Sequence, residues 1–287
     1  MRVFALSDLH MDYQPNTSYL QQLSEIEYTS DVLILAGDIS DDLDRLQIVL
    51  TYLRTKFARV FFVPGNHELW VRRKECVDSI AKFWIVLELC ASIGVETGPA
   101  KVGSSDNMGR VWIVPLFSWY VKPEEGACRL FVPKAGEDAT LEMWSDNRFT
   151  RWPPIESGDT AAHYFLHVNR KHIQQNYDAP VISFSHFLPR TDLIFGTEHE
   201  KKAAGIQGKD RRPTFNFSRV AGCTCLEELI RQLDSTIHVY GHQHRNRHRL
   251  VDDVLYISNC LGYTHERKPG TPGAEDAPKL IWDTLAT

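Results

Sequence analysis

The sequence predicts an α/β protein built on a mostly parallel β-sheet. Short apolar runs such as 32–36 are typical of strands buried on both faces. Predicted helices alternate with these strands along residues 1–91, which is the spacing of βαβ units. Five runs end in Asp, Asn or His, at the strand ends where open α/β sheets place their chemistry.

The elements are predicted in order along the chain. Strands are expected at 2–7, 32–36, 60–63, near 102, and at 110–115, 181–184, 237–240, 249–251 and 254–258, the last two forming a hairpin turned at Asp252-Asp253. Helices are expected at 17–28, from Asp41 or Asp42 to 54, at 69–91, from Ser157 or Asp159 to 177, and at 226–233.

A single domain is expected over residues 1–287, because no repeat or long linker interrupts the chain. A Trp/Pro-rich insertion is expected at about 117–158 and a mobile, polar loop at about 189–221. The Pro/Gly-rich stretch 268–278 is predicted to be loose.

Composition excludes several classes of protein. A hydrophobic content of 43% and a charged content of 24% are ordinary for soluble globular proteins. A net charge of −5 gives no general attraction to nucleic acid or acidic membranes, and no apolar window is long enough to cross a bilayer. The start of the chain enters a strand without a signal-peptide pattern.

The six cysteines are scattered without a Cys-x-x-Cys pair, so we expect them unpaired and the chain in a reducing, cytoplasmic compartment. Cys223-Thr-Cys225 could bind a soft metal, but packing at a helix start is the favoured interpretation.

Five strand ends carry side chains that can bind metals. Residues two apart at a strand end point the same way, so each pair of this kind can present two ligands together. The candidate ligands are Asp8, His10, Asp38, Asn66, His186, His242 and His244.

Two carboxylates, four imidazoles and one amide exceed what one zinc ion needs. The set suits two divalent ions such as Mn²⁺, Fe²⁺ or Zn²⁺, with Asp38 as the shared ligand. Such a pair can ionise a bridging water for attack on a phosphoryl group and neutralise its oxygens. His67 is then the candidate acid for the leaving group, and Glu68 its orienting partner or a helix N-terminal acid.

The motifs Asp8-x-His10, Gly37-Asp38, Gly65-Asn66-His67-Glu68, His186 and Gly241-His242-x-His244 resemble those of the calcineurin-like metallophosphoesterase superfamily. The resemblance spans residues 8–244 and implies a four-layered αββα sandwich with a dinuclear centre. It implies Asp8, His10 and His244 on one metal, Asn66, His186 and His242 on the other, Asp38 between them, and His67 as the acid or phosphate-stabilising cation.

At several positions the sequence differs from particular subfamilies of this superfamily, which narrows the choice among them. Protein serine/threonine phosphatases have an arginine where this chain has Asp42 and a glycine where it has Met11. Purple acid phosphatases have a metal-binding tyrosine where Asp41 stands. The sequence therefore resembles the small phosphoesterases, which act on monoesters or diesters, and a small phosphorylated substrate is expected.

Two alternatives stay open. A metal-dependent nuclease would use basic residues such as Arg245, Arg247 and Arg249 or the Lys201–Arg212 loop, and is ranked second. A non-catalytic metal-binding scaffold is ranked lower, because such a chain is expected to lose ligands. The oligomeric state is not predicted.

Other residues are given smaller roles. Asn66, His67 and Arg267 are candidate substrate contacts, with Tyr263 and His265 at the same edge, and Arg267 could hold a phosphate bidentately. The remaining histidines of the predicted helix and strand are expected to be structural or surface residues: His163, His167, His172 and His238.

Overall fold

Two mixed β-sheets flanked by helices form the fold of the protein, seen in a computed structural model that describes residues 1–72, 76–103, 109–155, 159–197, 214–266 and 278–284. The strands are β1 (Arg2–Leu6), β2 (Val32–Leu35), β3 (Arg59–Phe62), β4 (Ala100–Val102), β5 (Val111–Pro115), β6 (Val181–Phe184), β7 (Ser235–Tyr240), β8 (Arg247–Val251), β9 (Val254–Ser258) and β10 (Lys279–Asp283). The helices are α1 (Gln14–Gln21), α2 (Leu43–Lys56), α3 (Ser79–Ser92), α4 (Asp146–Phe149), α5 (Ala161–Val168), α6 (Arg170–Ile173) and α7 (Cys225–Gln232).

The smaller sheet has the order β10-β1-β2-β3 and the larger one the order β4-β5-β6-β7-β9-β8. Strands β1, β2 and β3 are parallel to one another, as are β5, β6, β7 and β9, whereas β10, β4 and β8 pair antiparallel with their neighbours. Parallel pairing brings the carboxyl ends of the central strands to a common edge in each sheet. The predicted α/β class and the αββα layering are confirmed.

Strand β2 shows how the layers are made. Val32 and Ile34 belong to the core that contains the residues of the larger sheet, whereas Leu33 and Leu35 pack with Leu50 of α2. Because side chains alternate along a strand, one apolar run supplies two cores. The continuous hydrophobicity of the run is the consequence of burial on both faces.

Several predicted boundaries are wrong. Helix α1 ends at Gln21 rather than at 28, and α3 begins at Ser79 with Asp78 as its N-cap rather than at 69. Part of the chain that was predicted to start this helix instead forms a short 3-10 turn at His67–Leu69. Helix α5 is capped by Thr160 and gives way to α6, and the predicted cap Ser157 lies outside the described residues.

The C-terminal strand β10 was not predicted. It pairs antiparallel with β1 and closes one edge of the smaller sheet. The signal is weak because a five-residue strand follows the Pro/Gly-rich stretch, and its partner is at the other end of the chain. The stretch that was predicted to be loose, 268–278, lies outside the described residues except for its last residue, and so does the centre of the predicted mobile loop, 198–213.

One disulfide links the segment 117–158, which is predicted to be an insertion, to α7. Cys128 and Cys225 are bonded, with Cα atoms 5.8 Å apart. The backbone brings them together, since Thr224 N–H donates to the Cys128 carbonyl at 2.7 Å. The prediction of unpaired cysteines is therefore wrong for this pair, which is 97 residues apart in sequence. Cys223 is free and buried beside the start of α7, as predicted for helix-start packing.

Within the described ranges, no helix combines the length and apolar character that crossing a bilayer would need.

Candidate metal centre

The seven candidate ligands converge at the carboxyl ends of five strands. Asp8 and His10 follow β1, Asp38 follows β2, Asn66 follows β3, His186 follows β6, and His242 and His244 follow β7. They form two groups that could each hold a metal ion, and Asp38 is a member of both. We call Asp8, His10 and His244 the rim group, and Asn66, His186 and His242 the inner group.

The rim group lies at the more open side of the site. The Nε2 atoms of His10 and His244 are 2.8 Å apart, and His244 Nε2 lies 3.3 Å from Asp8 Oδ1. The His10 ring also stacks on Tyr263, with centroids 4.5 Å apart. Side-chain exposure reaches 14% at His244, so solvent touches this group at one place.

The inner group is enclosed. Asn66 Oδ1 lies 3.1 Å from His186 Nε2 and 3.1 Å from His242 Nδ1. The His186 Nε2 atom is also 3.4 Å from Asp38 Oδ2. Aromatic rings surround His242, with centroid distances of 4.5 Å to Phe187, 5.3 Å to Phe217 and 5.9 Å to Trp144.

An uncommon backbone conformation marks the candidate ligands. Five of the seven have a left-handed φ: 53° at Asp8, 43° at His10, 59° at Asp38, 70° at His242 and 51° at His244. Residues other than glycine rarely adopt this region, and such residues cluster at functional sites. The strand ends are therefore turned sharply to aim these side chains into one space.

Two glycines make room for this arrangement. A Cβ atom on Gly37, whose φ is 83°, would lie 2.5 Å from His186 Nδ1. A Cβ atom on Gly65 would lie 2.2 Å from Asp38 Oδ1. The Gly-Asp and Gly-Asn-His-Glu motifs therefore need glycine because other strand ends pass at contact distance.

Glu68 holds two of the strand-end loops together. Its buried carboxylate accepts hydrogen bonds from the backbone N–H groups of Asp38, Ile39, Ser40 and Gly65 at 2.6–3.0 Å. Burial, followed by the charge of Asp38, raises its pKa to about 7. Glu68 does not contact the His67 ring in any described hydrogen bond, so the structure supports a backbone role rather than orientation of His67.

Three of the imidazoles are oriented by a hydrogen bond at the ring nitrogen that points away from the candidate ligand groups. The acceptors are the Ala36 carbonyl for His186 Nδ1, the Val220 carbonyl for His242 Nε2 and the Glu266 carboxylate for His244 Nδ1, at 2.8, 2.9 and 2.8 Å. With the proton on each of these nitrogens, the other ring nitrogen can bind a metal through its lone pair once it has lost its own proton. In each case that nitrogen faces its group, which is how metal-binding histidines are fixed in proteins.

Buried carboxylates and imidazoles lie next to one another in the site and shift one another's pKa. Burial alone would raise the pKa of Asp8, but the charge and hydrogen bond of His244, together with the charge of His186, lower it to about 2. Burial likewise opposes protonation of His186 and His244, yet Asp38 raises the pKa of the first to about 9 and Asp8 that of the second to about 10. Burial lowers the pKa of His242 to about 3. The carboxylates thus remain ionised, as ligands must be to bind cations.

His67 stands between the two groups without belonging to either. Its Nε2 atom lies 3.8 Å from Asp38 Oδ2, its backbone N–H donates to Asp38 Oδ1 at 2.9 Å, and its ring packs on Trp70 at a centroid distance of 3.7 Å. The side chain is 15% exposed, so its ring can meet a ligand entering from solvent.

The other predicted residues fall elsewhere. His238 is fully buried between the hydroxyls of Ser183 and Ser185, a structural position. His163 takes part in the cap of α5, and His172 bonds to the Pro115 carbonyl. Tyr263 and His265 stack at the rim, whereas Arg267 lies outside the described residues.

Two carboxylates at the site were not predicted. Glu266 contacts His244, and Asp146, from the insertion, contacts Asn66 Nδ2 at 2.9 Å. Each is a single acidic residue, Asp146 at the start of the four-residue helix α4 and Glu266 after β9, so no periodicity or strand end could have marked it.

Comparison with known proteins agrees with this geometry. A family model described as calcineurin-like phosphoesterase matches residues 1–246. A curated relative, the [acyl-carrier-protein] phosphodiesterase PptH of Mycobacterium tuberculosis, is 27% identical over 281 residues, covering 93% of this chain and 80% of the relative. The crystal structure of phosphopantetheinyl hydrolase (PptH) from the same organism has a TM-score of 0.69 at 24% identity, covering 96% of this chain and 98% of that one.

The solved structure confirms the fold, and the family match extends over most of the chain, including all seven candidate ligands. The chain belongs to the calcineurin-like phosphoesterase family, whose members are metal-dependent phosphoric ester hydrolases.

Proposed function

We propose that this chain is a dinuclear phosphodiesterase that removes the phosphopantetheine arm from an acyl carrier protein. The observation that carries the proposal is the likeness to the acyl-carrier-protein phosphodiesterase over 93% of the chain. The metal-binding groups alone would serve a monoesterase equally well, so the choice of ester depends on this relative.

The donor set fits a pair of divalent ions. Four imidazole nitrogens, two carboxylates and an amide oxygen face two adjoining positions that share Asp38, and nitrogen with oxygen ligands suits Mn²⁺, Fe²⁺ or Zn²⁺. When bound, two such ions supply an activated water and neutralise the phosphoryl oxygens during in-line displacement. The rim group and the inner group would each hold one ion, with Asp38 touching both.

His67 would act on the leaving group. Cleavage of the bond between phosphorus and the carrier's serine oxygen leaves an alkoxide, which needs a proton. The partly exposed His67 ring would donate that proton, and two contacts support this role: its Nε2 lies 3.8 Å from Asp38 Oδ2, and Trp70 packs against the ring. A good leaving group such as p-nitrophenolate needs little such help.

The test is to incubate a phosphopantetheinylated acyl carrier protein with Mn²⁺-loaded enzyme and follow the carrier by mass spectrometry. We expect loss of the phosphopantetheine group, abolished by Asp38→Asn, which removes the shared carboxylate. Asp253→Asn in the β8–β9 turn is the matched control and should keep full activity.

Other outcomes separate the alternatives. If the enzyme hydrolyses bis-p-nitrophenyl phosphate but leaves the carrier intact, it is a phosphodiesterase and the acyl carrier protein is not its substrate. Preference for p-nitrophenyl phosphate would indicate a monoesterase, and cleavage of single-stranded DNA a nuclease. No described contact favours the nuclease, since the Arg247 and Arg249 guanidiniums donate to carbonyls of residues 192–195. A cytoplasmic location stays a prediction.

A further inference from the structure

Asp146 is a buried carboxylate that the proposed chemistry does not use. It is the first residue of α4 in the insertion, and it is only 1% exposed. A buried carboxylate is costly unless hydrogen bonds compensate for lost water. The partners of Asp146 therefore indicate why it is there.

Three N–H groups point at this carboxylate. Asp146 Oδ1 accepts from Asn66 Nδ2 at 2.9 Å and from Trp70 Nε1 at 2.6 Å, and Oδ2 accepts from Trp144 Nε1 at 2.9 Å. The two indoles fix the carboxylate within the insertion and against the 3-10 turn. The third donor is the side chain of a candidate metal ligand.

The contact decides which way the Asn66 amide faces. Asp146 Oδ1 already accepts from the Trp70 indole, and an oxygen that acts as an acceptor takes the NH₂ end of the amide. The amide oxygen is then turned to the opposite side, where it lies 3.1 Å from His186 Nε2 and from His242 Nδ1. A flipped amide would place its oxygen against the carboxylate and its N–H groups where a cation must bind.

We propose that Asp146 is a positioning residue of the metal centre: it fixes the amide of Asn66 so that Oδ1 faces the inner ion. The inference rests on the proposed dinuclear site, and it gives the insertion a role in assembling that site. Partners that orient a metal ligand change metal affinity or activity by about 10- to 100-fold when removed.

The test measures Mn²⁺ binding by calorimetric titration of the full-length, metal-stripped chain, together with Tm and carrier hydrolysis. Asp146→Asn should weaken one of the two Mn²⁺ ions by about 10- to 100-fold and leave the other unchanged. Asp31→Asn is the matched control. Asp31 is another buried carboxylate, bonded to Arg2 at the opposite ends of the strands. Its loss should lower Tm without changing either affinity.

A double-mutant cycle separates positioning from general support of the fold. In an Asn66→Ala background there is no amide to orient, so Asp146→Asn should weaken Mn²⁺ binding no further. An equal loss in both backgrounds, or unchanged affinity in the single variant, would overturn the inference.

A second variant covers the case in which Asp146→Asn does not fold. The exchange Asn66→Asp with Asp146→Asn keeps an N–H to carboxylate contact between the two positions. It should bind the inner Mn²⁺ at least about 10-fold more tightly than Asn66→Asp alone, where two carboxylates face each other. Equal affinities would reject the positioning role.

The parallel hydrolysis assay distinguishes this inference from the proposed function. Wild-type protein that binds two Mn²⁺ ions and leaves the carrier intact would reject only the carrier substrate. Wild-type protein that binds no Mn²⁺ would overturn both.

Discussion

The rim group and the inner group use similar side chains, but different parts of the chain support them. The rim histidine His244 is supported by Glu266, which follows β9, and solvent reaches it. The inner group is buried beneath aromatic residues, and the insertion reaches its amide through Asp146. The strand ends thus bring the ligands together, while later segments determine how firmly each half is held. We expect the rim ion to exchange with solvent more readily than the inner ion.

The largest effect is expected at His67, which belongs to neither half. His67→Ala should lower turnover of the carrier substrate by about 10²- to 10⁴-fold, the range for loss of a general acid. Both Mn²⁺ ions should stay bound, because neither group includes this ring. Turnover and Mn²⁺ stoichiometry are measured side by side, with His172→Ala as the control. A full rate on the carrier in the His67 variant would show that another group supplies the proton.

A smaller effect is expected from the support of the rim group. Glu266→Ala removes the acceptor of His244 Nδ1–H and should weaken the rim Mn²⁺ by about 10- to 100-fold. The inner ion should be unaffected, which is the reverse of the pattern expected for Asp146→Asn. Glu227→Ala is the control, because it removes a carboxylate that pairs with Arg190 and Arg231 rather than with a candidate ligand. Equal weakening of both ions would mean that the two halves do not act independently.

The smallest expected effect is a change in stability with pH at His238, a buried residue of β7. Burial lowers the pKa of His238 to about 3, so the folded protein holds this ring neutral while the unfolded chain, with a pKa near 6.5, takes up a proton in acid. Its contribution to stability is therefore present above about pH 6.5 and is lost as the pH falls towards 3. Between pH 7 and 5.5 the loss from this residue should be about 1 kcal/mol.

The variant His238→Asn should lower stability at neutral pH, since the ring bridges two serine hydroxyls, but it should lose less stability on acidification than the wild type. Urea unfolding of metal-stripped protein at the two pH values gives both free energies. An identical pH dependence in the two proteins would contradict the assignment.

Sequence reasoning identified the candidate ligands because they follow the strongest local signal in the chain, the end of a doubly buried strand. The burial and the end of a run such as Val32–Leu35 can be predicted from the run itself, without knowledge of any other segment. Parallel pairing then brings the strand ends together whatever their separation in sequence. Within each sheet the placement of the candidate ligands follows from these two facts, and the packing of the two sheets on a shared core brings both sets together.

The features that sequence reasoning did not predict depend on contacts between segments that are distant in sequence. Asp146 lies 80 residues from Asn66, and its neighbours in sequence form no periodic pattern. Helix α3 was predicted too long because the apolar residues Leu69 to Val71 continue its pattern, although Leu69 ends the 3-10 turn that carries His67 and the next two residues follow that turn. The Cys128–Cys225 pair and strand β10 likewise require knowledge of which remote segments are neighbours.

The left-handed backbone at five candidate ligands has a consequence for protein engineering. Residues other than glycine held in this region cost on the order of 1–3 kcal/mol each, and glycine relieves most of that strain. A procedure that selects substitutions for thermal stability alone would therefore favour glycine at positions such as His10 and His244. It would yield a more robust protein that no longer binds metal, so any redesign of this chain must hold these positions fixed and seek stability in its helices and outer strands.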